Sequence, residues 1–314
     1  MPIERAEMSD RLSAAFYAAA LELGFPDEPD KNAPGAPGVG PVPLSLRRGM
    51  RWNTGLAYLV PALDRPNLAV RGDSRVVRVV IEDGRAVGVE LAGGERIAAG
   101  EVVLAAGAIA STQLLLLSGI GPRDDLHELG LTVVADLPVG QAFSDHPDIA
   151  VGWRPRTSVG SPGDRAAFPA ALNFASAGTP RADLEILLSI KPLGYLLTGS
   201  AHPLGSGVAA ALRHPWRTLR ALIGVSARRM ASQLAHRDDL QLIVAVQQPE
   251  GRGTIRLNSG DPDDAPRIDY RYLETPRDRA RMREGLRTAV RMLRSDAFAP
   301  LFGRLTELDD ETLD

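Results

Sequence analysis

Few residues of this chain have types and spacing suited to chemistry. Ala105, Ala106, Gly107 and Ala108 form a run of small side chains between apolar Val102-Val103-Leu104 and the apolar stretch from Ala110 to Leu117. Where no bulky side chain intervenes, a ligand can reach the backbone, and the free N–H groups that open a helix favour phosphate or carboxylate. The same small residues would also let a helix pack tightly on a strand, and spacing alone leaves both readings open. The five histidines are His127, His146, His202, His214 and His236, and no two stand at a helical metal-binding spacing. There is no Gly-x-Ser-x-Gly elbow for a serine hydrolase and no Gly-x-Gly-x-x-Gly loop for a dinucleotide. The run from Gly35 to Gly40, "GAPGVG", has the wrong spacing and no strand before it. Cysteine is absent, which excludes disulfides, thiolate metal sites and cysteine nucleophiles.

The elements that must hold the small-residue run can be read from periodicity. "SDRLSAAFYAAALELGF" predicts a helix with Ser9 or Asp10 as N-cap and Gly24 as C-cap, followed by a proline- and glycine-rich loop and a short helix in "RWNTGLAYLVPAL". From Asn67 the period changes to two, and "NLAVRG", "RVVRVVIE", "RAVGVELA" and "ERIAAGEVVLAAG" read as strands. Asp83-Gly84 and Gly93-Gly94 separate them as hairpin turns. Val102 to Leu104 does not alternate, the pattern of a strand buried on both faces. "FPAALNFAS", "DLEILLSI" and "LQLIVAVQQ" predict a second sheet that "RGTIRLNSGDPDDAPRIDYRYL" continues, and "RDRARMREGLRTAVRMLRS" an amphipathic helix. The fold class is therefore α/β.

Composition bounds the function. With 314 residues, 44% of them apolar, the chain can build one large or two ordinary domains. A net charge of −3 does not point to nucleic acid. No window is apolar enough for a transmembrane helix, and "MPIERAEMSDRL" lacks the apolar core of a signal peptide, so a cytoplasmic protein is expected. Between Glu185 and Asp238 no residue is acidic, and Arg213 to Arg237 reads as a basic helix. Such a helix can lie on an anionic membrane, dock an acidic partner, or pack on its own domain with a solvated basic face.

Two longer stretches carry a resemblance. "RWNTGLAYLVPALDRPNLAV", the hairpins, "EVVLAAGAIASTQLLLLSGIGP" and "LHELGLTVVADLPVGQAFSDHP", in this order, closely resemble the FAD-dependent glucose–methanol–choline (GMC) oxidoreductases. "GRGTIRLNSGDPDDAPRIDYRYLETPRDRARMREG" resembles the start of that family's carboxy-terminal substrate domain. "WNTGLAYL", "LLSIKPLGY" and the basic insert also resemble the branch associated with the redox carrier mycofactocin.

The resemblance implies FAD as cofactor, with Val76 near the adenine and Ala106 and Gly107 against the ADP half. It implies hydride transfer from an alcohol carbon to the flavin, with a small-molecule alcohol or a reduced redox carrier as substrate. It further implies an entry helix and loop over residues 1–45, a central portion of the FAD-binding domain over 46–148, and an incomplete substrate domain over 149–314. The family's dinucleotide loop and its closing His/Asn pair have no counterpart here, so the chain looks like a fragment, expected to be inactive alone, and no catalytic residue is assigned. His146 matches the family's Asp-His loop as a structural residue. Thr112 stands where the family has proline near a helix start, and Ala142 where it has asparagine. The alternative is a non-catalytic remnant that binds an anionic membrane surface or an acidic partner through Arg213 to Arg237.

Overall fold

A computed structural model describes residues 1–157, 166–191 and 239–306. The basic helix expected over Arg213 to Arg237 lies outside the described residues, as do His202, His214 and His236. The chain forms two compact units and weaves between them: one holds Met1–Pro61, His146–Gln248 and Arg277–Asp314, the other Ala62–Asp145 and Pro249–Pro276. It begins in the first unit with α1 (Arg11–Glu22) and β1 (Val39–Pro41). It then builds β2 (Val76–Glu82), β3 (Arg85–Leu91), β4 (Arg96–Ala98), α2 (Gly107–Leu117) and α3 (Arg123–Glu128) in the second. Back in the first come β5 (Asp148–Pro155), β6 (Ala170–Phe174), β7 (Leu184–Ser189) and β8 (Leu240–Val246). The second unit gains β9 (Thr254–Arg256) and β10 (Arg267–Asp269), and α4 (Pro276–Leu293) and β11 (Phe302–Leu305) follow.

The first unit is organised by a six-stranded antiparallel sheet in the order β11-β5-β8-β7-β6-β1. Strand side chains alternate between faces, so register decides which residues meet. Val151 lies opposite Leu242 and Leu172 opposite Ile186, which in turn faces Val244; all five are fully buried. Helix α4 covers this face with a stripe at helical spacing: Arg281, Met282, Gly285, Thr288, Ala289, Met292 and Leu293. Gly285 allows the close approach, since a Cβ there would stand 2.5 Å from Val244 Cγ1. Helix α1 starts as expected, with the Asp10 carboxylate accepting from the Leu12 and Ser13 N–H groups, and Gly24 follows it at φ +86°. The proline-rich loop contributes more than expected. Its residues Val39–Pro41 are β1, paired with β6.

A buried ionic cluster ties α4 to the β6–β7 turn. Arg281 donates to Asp183 (3.1 Å) and Asp278 (2.5 Å) and to the Gln248 carbonyl (2.9 Å). Asp183 also accepts from the Ser176 N–H and hydroxyl.

The second unit contains the hairpins β2–β3 and β3–β4. Asp83 and Gly84 both take positive φ, as the expected tight turn requires. Three expectations are corrected here. Asn67 to Gly72 is not a strand, and Leu68 and Val70 are exposed. Val102 to Leu104 belongs to no strand, with Val103 79% exposed rather than buried on both faces. An apolar run becomes a strand only against a neighbour with a free edge, and among the described residues neither run has one. Finally, β9 and β10 do not continue the large sheet. They pair with each other because "NSGDPDDAP" closes a local turn, where Asn258 bonds the Ala265 carbonyl and Ser259 bonds Asp264.

Candidate functional site

Helix α2 begins at Gly107, three residues earlier than its apolar run suggests, and Gly107 enters it at φ +87°, a left-handed conformation that glycine adopts readily. No side chain caps this start, and Ala105 to Ala108 are all exposed. The Ala106 N–H is taken by Ser111 Oγ at 3.2 Å, so the approach is to Gly107 and the residues just after it. A Cβ built on Gly107 would meet no atom within 4 Å, which leaves open space in front of the helix N-terminus. That geometry can receive an anionic or planar group through main-chain contacts.

Three polar side chains fix the helix through four contacts, and sequence reasoning found none of them. Ser118, just past the helix, donates to the Leu114 carbonyl (2.6 Å) and accepts from the Val79 N–H of β2 (2.9 Å). The hydroxyl thus satisfies a main-chain donor on the outer edge of the three-stranded sheet. Gln113 Nε2 donates to the Asp264 carbonyl at 2.9 Å, anchoring mid-helix to the β9–β10 turn. Thr112 bonds back to the Ala108 carbonyl at 2.7 Å. It is the sixth residue of α2, so its departure from proline falls inside the helix and not at its start; the back-bond keeps the hydroxyl satisfied there. A serine directly after an apolar helix was the one available signal for the Ser118 contact.

Val76, Ala106 and Gly107 all lie in the second unit. Val76 opens β2 opposite Leu91, and its neighbour Arg75 is held by Asp263 and the Pro262 carbonyl. The Val79–Ser118 contact joins β2 to the carboxyl end of α2, while Ala106 and Gly107 stand at its amino end, about 16 Å of helix away.

Of the histidines among the described residues, His127 is exposed in the last turn of α3 and His146 is exposed at the return to the first unit. Asp145 accepts from the Tyr272 hydroxyl at 3.1 Å. Among the described residues no group of three or more metal-ligating side chains comes together.

A family model for GMC oxidoreductase matches residues 1–148, and a second GMC oxidoreductase model matches residues 249–312. The chain belongs to the GMC oxidoreductase family. It is 36% identical to a GMC-type oxidoreductase of Rhodococcus erythropolis over 99% of this chain and 56% of the relative. It is 33% identical to the mitochondrial choline dehydrogenase of Mus musculus over 96% of this chain and 50% of that protein. The fold is shared with pyridoxine 4-oxidase from Mesorbium loti (TM-score 0.79, 24% identity, 98% of this chain and 56% of that one). It is also shared with formate oxidase of Aspergillus oryzae (TM-score 0.75, 19% identity, 99% of this chain and 59% of that one). The chain spans about half the length of the curated relatives it matches.

Proposed function

We propose that this chain serves an FAD-dependent oxidoreductase acting on the CH–OH group of a small-molecule donor. Family membership supports the reaction class, and the observation that carries the cofactor is the open start of α2. Exposed small residues precede an uncapped helix N-terminus, and Gly107 leaves the space before it clear. These features fit the adenosine-diphosphate side of FAD. When bound, the flavin supplies the redox step by taking the hydride that the alcohol carbon gives up. The residues of this chain bind and orient: Ala106 and Gly107 lie against the adenosine-diphosphate half, with main chain offered from Gly107 onward, and Val76 presents the edge of β2 to the adenine. The 314 residues contain no Gly-x-Gly-x-x-Gly loop, so the main-chain cradle for the pyrophosphate is not among them.

The division of labour has a direct test. The chain purified alone should carry no stoichiometric flavin and show no alcohol-dependent dye reduction. Added FAD should bind weakly in a flavin-fluorescence titration, with ADP competing and riboflavin not. Gly107→Val forces a left-handed backbone at a cost of about 1–2 kcal/mol and should weaken that binding. Competition by riboflavin but not ADP, or binding indifferent to Gly107→Val, would overturn the reading.

No helix among the described residues is long and apolar enough to cross a membrane. The reading retains cytoplasmic residence, with peripheral contact through Arg213 to Arg237. Co-sedimentation with anionic but not neutral vesicles is the measurement that decides that contact.

A further inference from the structure

Two like charges stand directly opposite each other in the second unit. Arg256 on β9 is the register partner of Arg267 on β10, an arrangement that costs stability unless negative charge is placed beside it. Helix α3 supplies part of that charge. Its Asp125 approaches Arg256 at 3.6 Å, an ion pair longer than a hydrogen bond, so the guanidinium keeps N–H donors to spare. Glu128 stands three residues on from Asp125, on the same side of α3.

One charge of each sign is then left over. Among the described residues neither Arg267 nor Glu128 has an ionic partner, and they are not paired with each other. Both nevertheless line one cavity of about 300 Å³, together with Asp125 and Arg256. Leu116, Leu126 and Ile255, all buried, and half-buried Leu129 line it as well. The volume is at the lower end of the range of small-molecule sites.

We propose that this cavity binds a free α-amino acid with an aliphatic side chain, as its zwitterion. The Arg267 guanidinium, joined by that of Arg256, takes the carboxylate through charged N–H donors, Glu128 takes the ammonium, and the leucines receive the side chain. A simple anion would match Arg267 but would share the cavity with the carboxylates of Asp125 and Glu128. A simple cation would match Glu128 but would meet two guanidiniums. A molecule that carries both charges avoids both penalties. The site adjoins Leu116, at the carboxyl end of α2 and away from the open start at Gly107, and it does not rest on the flavin reading.

The probe is L-leucine, titrated into the full chain by calorimetry at neutral pH and constant ionic strength. It is compared with isocaproate, which lacks the amino group, and isoamylamine, which lacks the carboxylate. Leucine should bind at least about tenfold more tightly than either, the factor expected of one charged hydrogen-bonded contact. Glu128→Gln should remove the advantage over isocaproate and keep the advantage over isoamylamine, and Arg267→Gln should do the reverse. Both positions are exposed, so neither variant should change the circular dichroism spectrum. Absence of saturable leucine binding, equal affinity for leucine and either analogue, or advantages that neither variant alters overturns the proposal. Should a variant not fold, nuclear Overhauser contacts from the leucine methyls to Leu126 and Leu129 in the unaltered chain decide it: their presence supports the site and their absence overturns it.

Discussion

Leu240, Leu242, Val244 and Val246 of β8 have no accessible surface, whereas Val103, in an equally apolar run of the second unit, is 79% exposed. Both segments are β-branched or leucine-rich and both lack charge. Strand β8 lies between β5 and β7, so its main chain is bonded on both sides, and α4 covers one face. Val102 to Leu104 has no strand beside it among the described residues. Burial was thus decided by the availability of neighbours and not by hydrophobicity. An exposed apolar segment of this kind, with an open helix start next to it, is where a partner or ligand can still be added.

This contrast can be broken most severely at the ionic cluster that locks α4 onto the large sheet. Arg281→Met leaves Asp183 and Asp278 buried without their shared guanidinium and should cost about 3–5 kcal/mol, read from urea unfolding of the first unit. A loss under 1 kcal/mol would mean the cluster is not what holds the helix. The next effect down is in the sheet itself. Leu242→Ala, at a fully buried position, should lose about 2–5 kcal/mol.

Acid offers a graded version of the first experiment. Burial works against the Asp183 carboxylate, but the Ser176 N–H and hydroxyl and the Arg281 guanidinium outweigh it and hold the group below its ordinary 3.8. A carboxyl lowered in the folded state stabilises the fold above its unfolded value, and that contribution is lost as pH falls through the folded value. The melting temperature should therefore be insensitive to this group at neutral pH and begin to fall below about pH 4. Asp183→Asn should flatten that acid limb. If the limb is unchanged, other carboxylates carry it.

The smallest change belongs to the exposed run. Val103→Ala removes surface that is already in water and should alter stability by less than about 0.5 kcal/mol. It should reduce the binding of a dye that reports exposed apolar surface. A large destabilisation at Val103 would show that this segment is covered after all, and would remove the contrast with β8.

Much of the local structure was legible in the residue pattern. Asp10 caps α1, Asp83-Gly84 turns the first hairpin, and the stripe from Arg281 to Leu293 makes α4 amphipathic, because each depends on neighbours within a few residues. Three of the four interior strands of the large sheet, β6, β7 and β8, were also visible as separate apolar runs, whereas β5 was not. Hidden were the entry of β1 from a proline-rich loop and the departure of β9 and β10 to a pair of their own. The contacts of Ser118 with Val79 and of Gln113 with Asp264 join residues far apart in sequence, so no periodicity announces them.

What the sequence alone determined, then, is the α/β class, the kinship carried by ordered motifs, and the small residues that open α2. Those follow from side-chain size, turn preference and short-range spacing. Tertiary structure decided which apolar runs are covered, which is a question of free strand edges. It also decided that Asn173, Glu185 and Gln247, scattered over 75 residues, form one row while Glu28 occupies Lys31. An isolated glutamate has no assigned partner in a sequence; only strand register brings the Asn173 and Gln247 amides to Glu185.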